Sequence, residues 1–75
     1  MEIKLYGLPN CPKCEEIKAF LTSKSIAFSY SNDFETTAII GSKYRLRSSP
    51  ILVQNDKAYS YNDILSKIED IMAGI

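Results

Sequence analysis

Cys11-Pro12-Lys13-Cys14 stands between two runs of different periodicity. Before it, Glu2 to Tyr6 alternates with Ile3 and Leu5 on one side, the pattern of a strand, until Gly7, Pro9 and Asn10 break it. After it, Ile17, Phe20 and Leu21 fall at i, i+3, i+4 spacing, one apolar face of a helix. Pro12 suits the first turn of that helix, where its missing N–H costs little. A dithiol at such a junction has a definite chemistry. The helix dipole and the free N–H groups of the first turn favour the thiolate of the first sulfur, and the second waits three residues on to close a disulfide. The stretch therefore reads as a thiol–disulfide exchange site.

The rest of the composition narrows the alternatives. Seventy-five residues make one domain, 1–75, with a modest core, and an apolar fraction of 45% is enough for a packed globule. Net charge is zero and no basic cluster occurs, which argues against a nucleic-acid partner. The longest apolar runs are a few residues, too short to span a bilayer, and the N-terminus enters a strand pattern without a signal-peptide core. A cytoplasmic protein away from membranes is the expectation. In that compartment a lone C-x-x-C is more often catalytic or metal-binding than a structural staple. No histidine is present, which removes Ser-His, Cys-His and His–metal chemistry together.

Thr22 to Ser25 ends the first helix weakly, and Ile26 to Tyr30 predicts a second strand of β-branched and aromatic character. Asn32-Asp33 can cap a second helix over about Phe34 to Tyr44, with Glu35 in its first turn and Phe34, Ala38 and Ile39/Ile40 as its apolar stripe. Gly41 weakens its centre or ends it early. Pro50 opens a third strand, Ile51 to Gln54, and the turn Asn55-Asp56-Lys57 returns the chain as Lys57 to Tyr59. Ser60 and Asp63 form a capping box for a last helix with Ile64, Leu65, Ile68, Ile71 and Met72 inward. The order β-α-β-α-β-β-α predicts an α/β fold: a parallel first pair joined through a helix, a closing hairpin, and a mixed four-stranded sheet with helices on its faces.

This order, with C-P-x-C after the first strand, resembles the thioredoxin-like fold in its smallest form, that of the glutaredoxin-like proteins. Leu5 to Glu15 is similar to the active-site approach of glutaredoxins and of the glutaredoxin-like electron donors to ribonucleotide reductase. Tyr44-Arg45-Leu46-Arg47-Ser48-Ser49-Pro50-Ile51-Leu52-Val53 resembles the family stretch Y-x-[IV]-R-x-x-P-x-L-V, which ends in a cis-proline beside the dithiol. Many glutaredoxins carry Gly-Gly before the last helix, followed by polar or acidic residues that hold the γ-glutamyl end of glutathione. Here Tyr59-Ser60-Tyr61-Asn62-Asp63 keeps the polar pair, Asn62 and Asp63, without the glycines. The resemblance implies a dithiol electron carrier that reduces protein or glutathione mixed disulfides. Its partner would be a disulfide-containing protein such as ribonucleotide reductase. Glutathione or a thioredoxin reductase would be the electron source, no cofactor would be tightly bound, and the chain would act as a monomer.

Residue roles follow. Cys11 is the nucleophile that forms a mixed disulfide with the partner, and Cys14, one turn on, is the resolving thiol. Pro12 stiffens the loop. Lys13 either favours the thiolate and attracts an acidic partner or is a solvated helix-start residue. By resemblance Pro50 is the cis-proline, and Ser49 before it offers its backbone to an extended substrate. Arg47 matches the family arginine and could meet a carboxylate, whereas Arg45 reads as surface charge. Tyr6 lines the site or packs at its rim, as Tyr59 and Tyr61 do near the glutathione-like position. Competing readings are an inert core pair of cysteines, half of a zinc site completed by a dimer or exogenous thiols, an iron–sulfur carrier ligated through Cys11, and a binding module without turnover.

Overall fold

The computed structural model describes residues 2–75. The elements are β1 (Lys4–Tyr6), α1 (Pro12–Ser23), β2 (Ser29–Ser31), α2 (Phe34–Tyr44), β3 (Ile51–Gln54), β4 (Lys57–Tyr59), α3 (Tyr61–Ser66) and α4 (Ile68–Ala73). The strands form one sheet in the order β2-β1-β3-β4. β1 runs parallel to β2 and antiparallel to β3, and β3 runs antiparallel to β4. The mixed sheet expected from the sequence is present, and so is the expected element order, with two short helices where one was expected at the end.

Side-chain alternation decides what each face of the sheet does. Tyr30, Leu5, Leu52 and Tyr59 are register partners in one row across all four strands. That row meets Ile17 and Leu21 of α1, Ile64 of α3 and Ile71 of α4 in the main core. Each fully buried Leu or Ile of this kind contributes about 1.5–3 kcal/mol. Ile51, next to Leu52, points the other way. A side chain on Gly41 would begin 3.6 Å from its Cδ1, so this face carries α2.

Connections explain several boundaries. α1 closes with Ser25 in the left-handed region (φ 58°), its N–H donating to the Thr22 carbonyl, while the Ile26 N–H reaches back to Leu21 at 3.1 Å. This is a Schellman closure in which serine stands where glycine is usual, and Ile26 and Leu21 both enter the core. Ile26 is therefore helix-end packing rather than strand. Pairing starts only at Ser29, since β1 offers only Lys4 to Tyr6 as partners, and β2 is shorter and later than the predicted Ile26 to Tyr30. The hairpin turns on two residues, Asn55 (φ 52°) and Asp56 (φ 62°), residue types that tolerate left-handed backbone.

Two helical expectations are corrected. In α2 the buried residues are Thr37 and Gly41, whereas Phe34 and Ile39 are each 67% exposed, Ala38 is exposed and Ile40 is half-buried. The helix comes too close for large side chains: a Cβ on Gly41 would lie 2.7 Å from the Leu46 carbonyl oxygen. The last helix is broken at Lys67 (φ −115°) into α3 and α4, and only Ile64 and Ile71 go fully inward, with Leu65 and Met72 facing solvent. Gln54, itself buried, donates from Nε2 to the Ile71 carbonyl at 2.8 Å and draws the final turn onto the end of β3.

Candidate active site

Asn10, in the left-handed region at φ 56°, swings the chain from the end of β1 into α1, and Cys11 becomes the N-cap of that helix. The cap is made by sulfur. Cys11 Sγ accepts from the Cys14 N–H at 3.1 Å, while the Cys11 carbonyl accepts the first helical bond from Glu15 at 3.1 Å. Pro12 occupies the first helical position. Cys11 and Cys14 are joined by a disulfide, with their Cα atoms 5.2 Å apart. Cys11 is half-buried and Cys14 is 0% exposed, so an attacking thiolate reaches the pair at Cys11 Sγ.

The segment before β3 completes this corner. Ser49 Oγ lies 3.9 Å from Cys11 Sγ. The Ser49–Pro50 peptide is cis, as the resemblance implies, and Pro50 is buried. Arg47 is exposed and lines, with Ser49, a groove of about 250 Å³ whose apolar walls include Leu8, Phe34, Ala38 and Leu46. The groove runs up to the dithiol because Ser49 belongs to both. The sequence pattern does not reveal its walls, because the spacing of Phe34 and Ala38 predicts core positions whereas both are exposed. Thr37 was also missed: it is buried and donates from Oγ1 to the Gly7 carbonyl at 2.7 Å, tying α2 to the chain just before the cysteines. Gly41 was the available signal, since a glycine in mid-helix often marks a close approach.

The remaining candidates lie along the rim. Tyr6 is half-buried at the end of β1, opposite Ile51. Lys13 Nζ stands 5.1 Å from the centre of the Tyr61 ring. Tyr61 donates its hydroxyl to Glu16 Oε2 at 2.6 Å, and this bond to a carboxylate holds the tyrosine pKa above its ordinary value. Asn62 and Asp63 occupy the first turn of α3, where Ser60 Oγ caps the Asp63 N–H at 3.3 Å. At this corner the side-chain hydrogen bond to α1 comes from Tyr61. Among the described residues no group of three or more His, Cys, Asp or Glu side chains comes together as a metal site, so a metal-carrier reading needs ligands from outside the chain.

Comparison with known proteins agrees with this geometry. No protein-family model matches the sequence, and no curated protein matches it. Solved structures do match. A point mutant of the thioredoxin-like protein BC3987 superposes with a TM-score of 0.80 at 21% identity, over 99% of this chain and 97% of that one. Glutaredoxin 1 from Francisella tularensis, complexed with cacodylate, gives 0.77 at 16% identity over 96% of each chain. A glutaredoxin from Archaeoglobus fulgidus gives 0.75 at 26% identity over 97% of this chain and 87% of that one. The chain has the thioredoxin-like fold of the glutaredoxins, with a redox-type cysteine pair at the start of its first helix. Fold and pair together support a thiol–disulfide oxidoreductase. No helix among the described residues is long and apolar enough to cross a membrane.

Proposed function

We propose that this protein is a dithiol electron carrier that reduces disulfides in other proteins. One observation carries the reading: two thiols three residues apart are held in opposite environments, Cys11 half-open at a helix start with an N–H aimed at its sulfur, and Cys14 sealed behind it. In the reduced protein the Cys11 thiolate attacks a partner disulfide and forms a mixed disulfide. Cys14 then attacks Cys11 Sγ, the partner thiolate leaves, and the pair ends oxidised. The groove beside Ser49 is the place for the partner's polypeptide, with Arg47 at its edge for a carboxylate. Ribonucleotide reductase is one protein of the required type. Glutathione or a thioredoxin reductase restores the dithiol in a cytoplasmic setting, with no tightly bound cofactor in the cycle, and Asn62 and Asp63 are the residues that would meet the γ-glutamyl end of glutathione.

Turnover of a protein disulfide is measured with two regenerating systems: NADPH, glutathione reductase and glutathione, or NADPH and thioredoxin reductase. Activity is expected with at least one. Cys11→Ser should abolish it, and Cys14→Ser should accumulate the mixed disulfide. Activity with neither system, or activity that survives Cys11→Ser, would overturn the reading.

A further inference from the structure

Cys14 has to attack Cys11 Sγ as a thiolate, yet its side chain is fully buried, and burial disfavours the charged form. The N–H of Cys14 is spent on the other sulfur, and among the described residues no donor is bonded to Cys14 Sγ. A hydroxyl is close by. A Cβ on Gly7 would lie 2.9 Å from Cys14 Sγ and 2.7 Å from Tyr30 Oη. Sulfur and hydroxyl therefore face one another across a residue without a side chain, no farther apart than those two distances laid end to end. One water, or a small movement of the ring, closes that gap.

The setting supports this use of the hydroxyl. The Tyr30 ring is packed against the core and held by Lys18, whose Nζ is 4.3 Å from its centroid. Lys18 is one helical turn beyond Cys14 and pairs with Glu15 at 3.3 Å. Among the described residues Tyr30 Oη makes no hydrogen bond and no unpartnered side-chain oxygen is buried, so the hydroxyl is open to water. The groups around this corner are few. α1 brings Lys18 and Glu15. β1 sets Leu5 beside Tyr30 and turns Lys4 and Tyr6 to the other face. Ser29 and Ser31 of β2 turn to that other face too, and Tyr61 of α3 is engaged by Glu16.

We propose that Tyr30 is a positioning residue for the resolving step, its hydroxyl donating a hydrogen bond to the Cys14 thiolate directly or through one water. The proposal rests on the dithiol cycle and deepens it. Cys14 first gives its proton to water. Its sulfur then forms the bond to Cys11 Sγ while the bond from Cys11 Sγ to the partner sulfur breaks. The electron pair leaves on the partner thiolate, which takes a proton from water, and Tyr30 keeps its own throughout.

The test uses the reduced protein and an aromatic disulfide reagent that releases coloured thionitrobenzoate. The first release reports attack by Cys11, and the second reports attack by Cys14 on the mixed disulfide. Cys14→Ser should show the first alone. Tyr30→Phe keeps the ring and its contact with Lys18 but lacks the hydroxyl. Its second phase should slow about tenfold or more relative to its first, as expected for losing a hydrogen bond to a charged group, and the pH midpoint of that phase should rise. A merely structural contact would not move that midpoint. Should Tyr30→Phe lose its circular dichroism signal, Tyr30→Leu, apolar and likewise without a hydroxyl, serves instead and should slow the second phase and raise its midpoint in the same way. An unchanged ratio of phases and an unchanged midpoint overturn the assignment of Tyr30 alone. A wild-type protein with a single release overturns the dithiol cycle, and this proposal with it.

Discussion

Cys11 and Cys14 are the same chemical group placed in two environments. Cys11 is the cap of a helix, with a backbone N–H 3.1 Å from its sulfur, and solvent reaches it. Cys14 is sealed, with Gly7 at its back. A thiol at a helix start titrates at roughly 3.5–7.5 instead of about 8.5, because unpaired N–H groups stabilise its thiolate. Alkylation of the reduced protein by iodoacetamide across pH should therefore modify Cys11 first, with a midpoint in that lower range. A midpoint at the value of free cysteine, or modification of Cys14 first, would remove the basis of the proposed chemistry.

α2 shows how a helix can be governed by its neighbours rather than by its own pattern. Its start is local: Asp33 Oδ2 accepts from the Thr36 N–H at 2.9 Å and from its hydroxyl at 2.7 Å, and these bonds hold the Asp33 pKa below its ordinary value of 3.8. The cap thus contributes fully above the ordinary carboxylate pKa and is lost as pH falls through the depressed value in the folded protein. Hydrogen exchange at Thr36, corrected for its intrinsic pH dependence, should stay slow at neutral pH and speed up as acid reaches that lower value. An Asp33 carboxyl titrating at 3.8 with Thr36 protection unaffected would show that the cap is not formed. The rest of the helix is tertiary. Gly41 admits the returning chain at Leu46, and Thr37 holds the Gly7 carbonyl.

Across the molecule, the central row Leu5–Leu52 is the seam on which everything else is mounted. It joins the strand that leads into the dithiol to the strand that follows Pro50, so the two halves of the site meet because these two strands pair. Both side chains are fully buried. Leu52→Ala should cost about 2–5 kcal/mol, a large part of the roughly 5–15 kcal/mol that holds a domain together. A fall in the urea midpoint at constant slope is the expected result. A shift of a few tenths of a kcal/mol would mean that this seam is not the core.

The element order and the place of the cysteines were legible without coordinates. Both depend on neighbours in the chain: alternation in Ile3 and Leu5, the i, i+3, i+4 spacing of Ile17, Phe20 and Leu21, a proline at the helix start, a capping serine, a two-residue turn. Such signals are short-range and survive in a linear reading. Which residues meet across the fold was not legible. Phe34 and Ile39 look like core and face solvent, while Thr37, Gly41 and Tyr30 look incidental and stand beside the site. The reason is physical. Hydrophobic periodicity records that a face is buried, but how near two elements approach is set by the sizes of residues distant in sequence. A glycine that lets a hydroxyl confront a sulfur has no local signature.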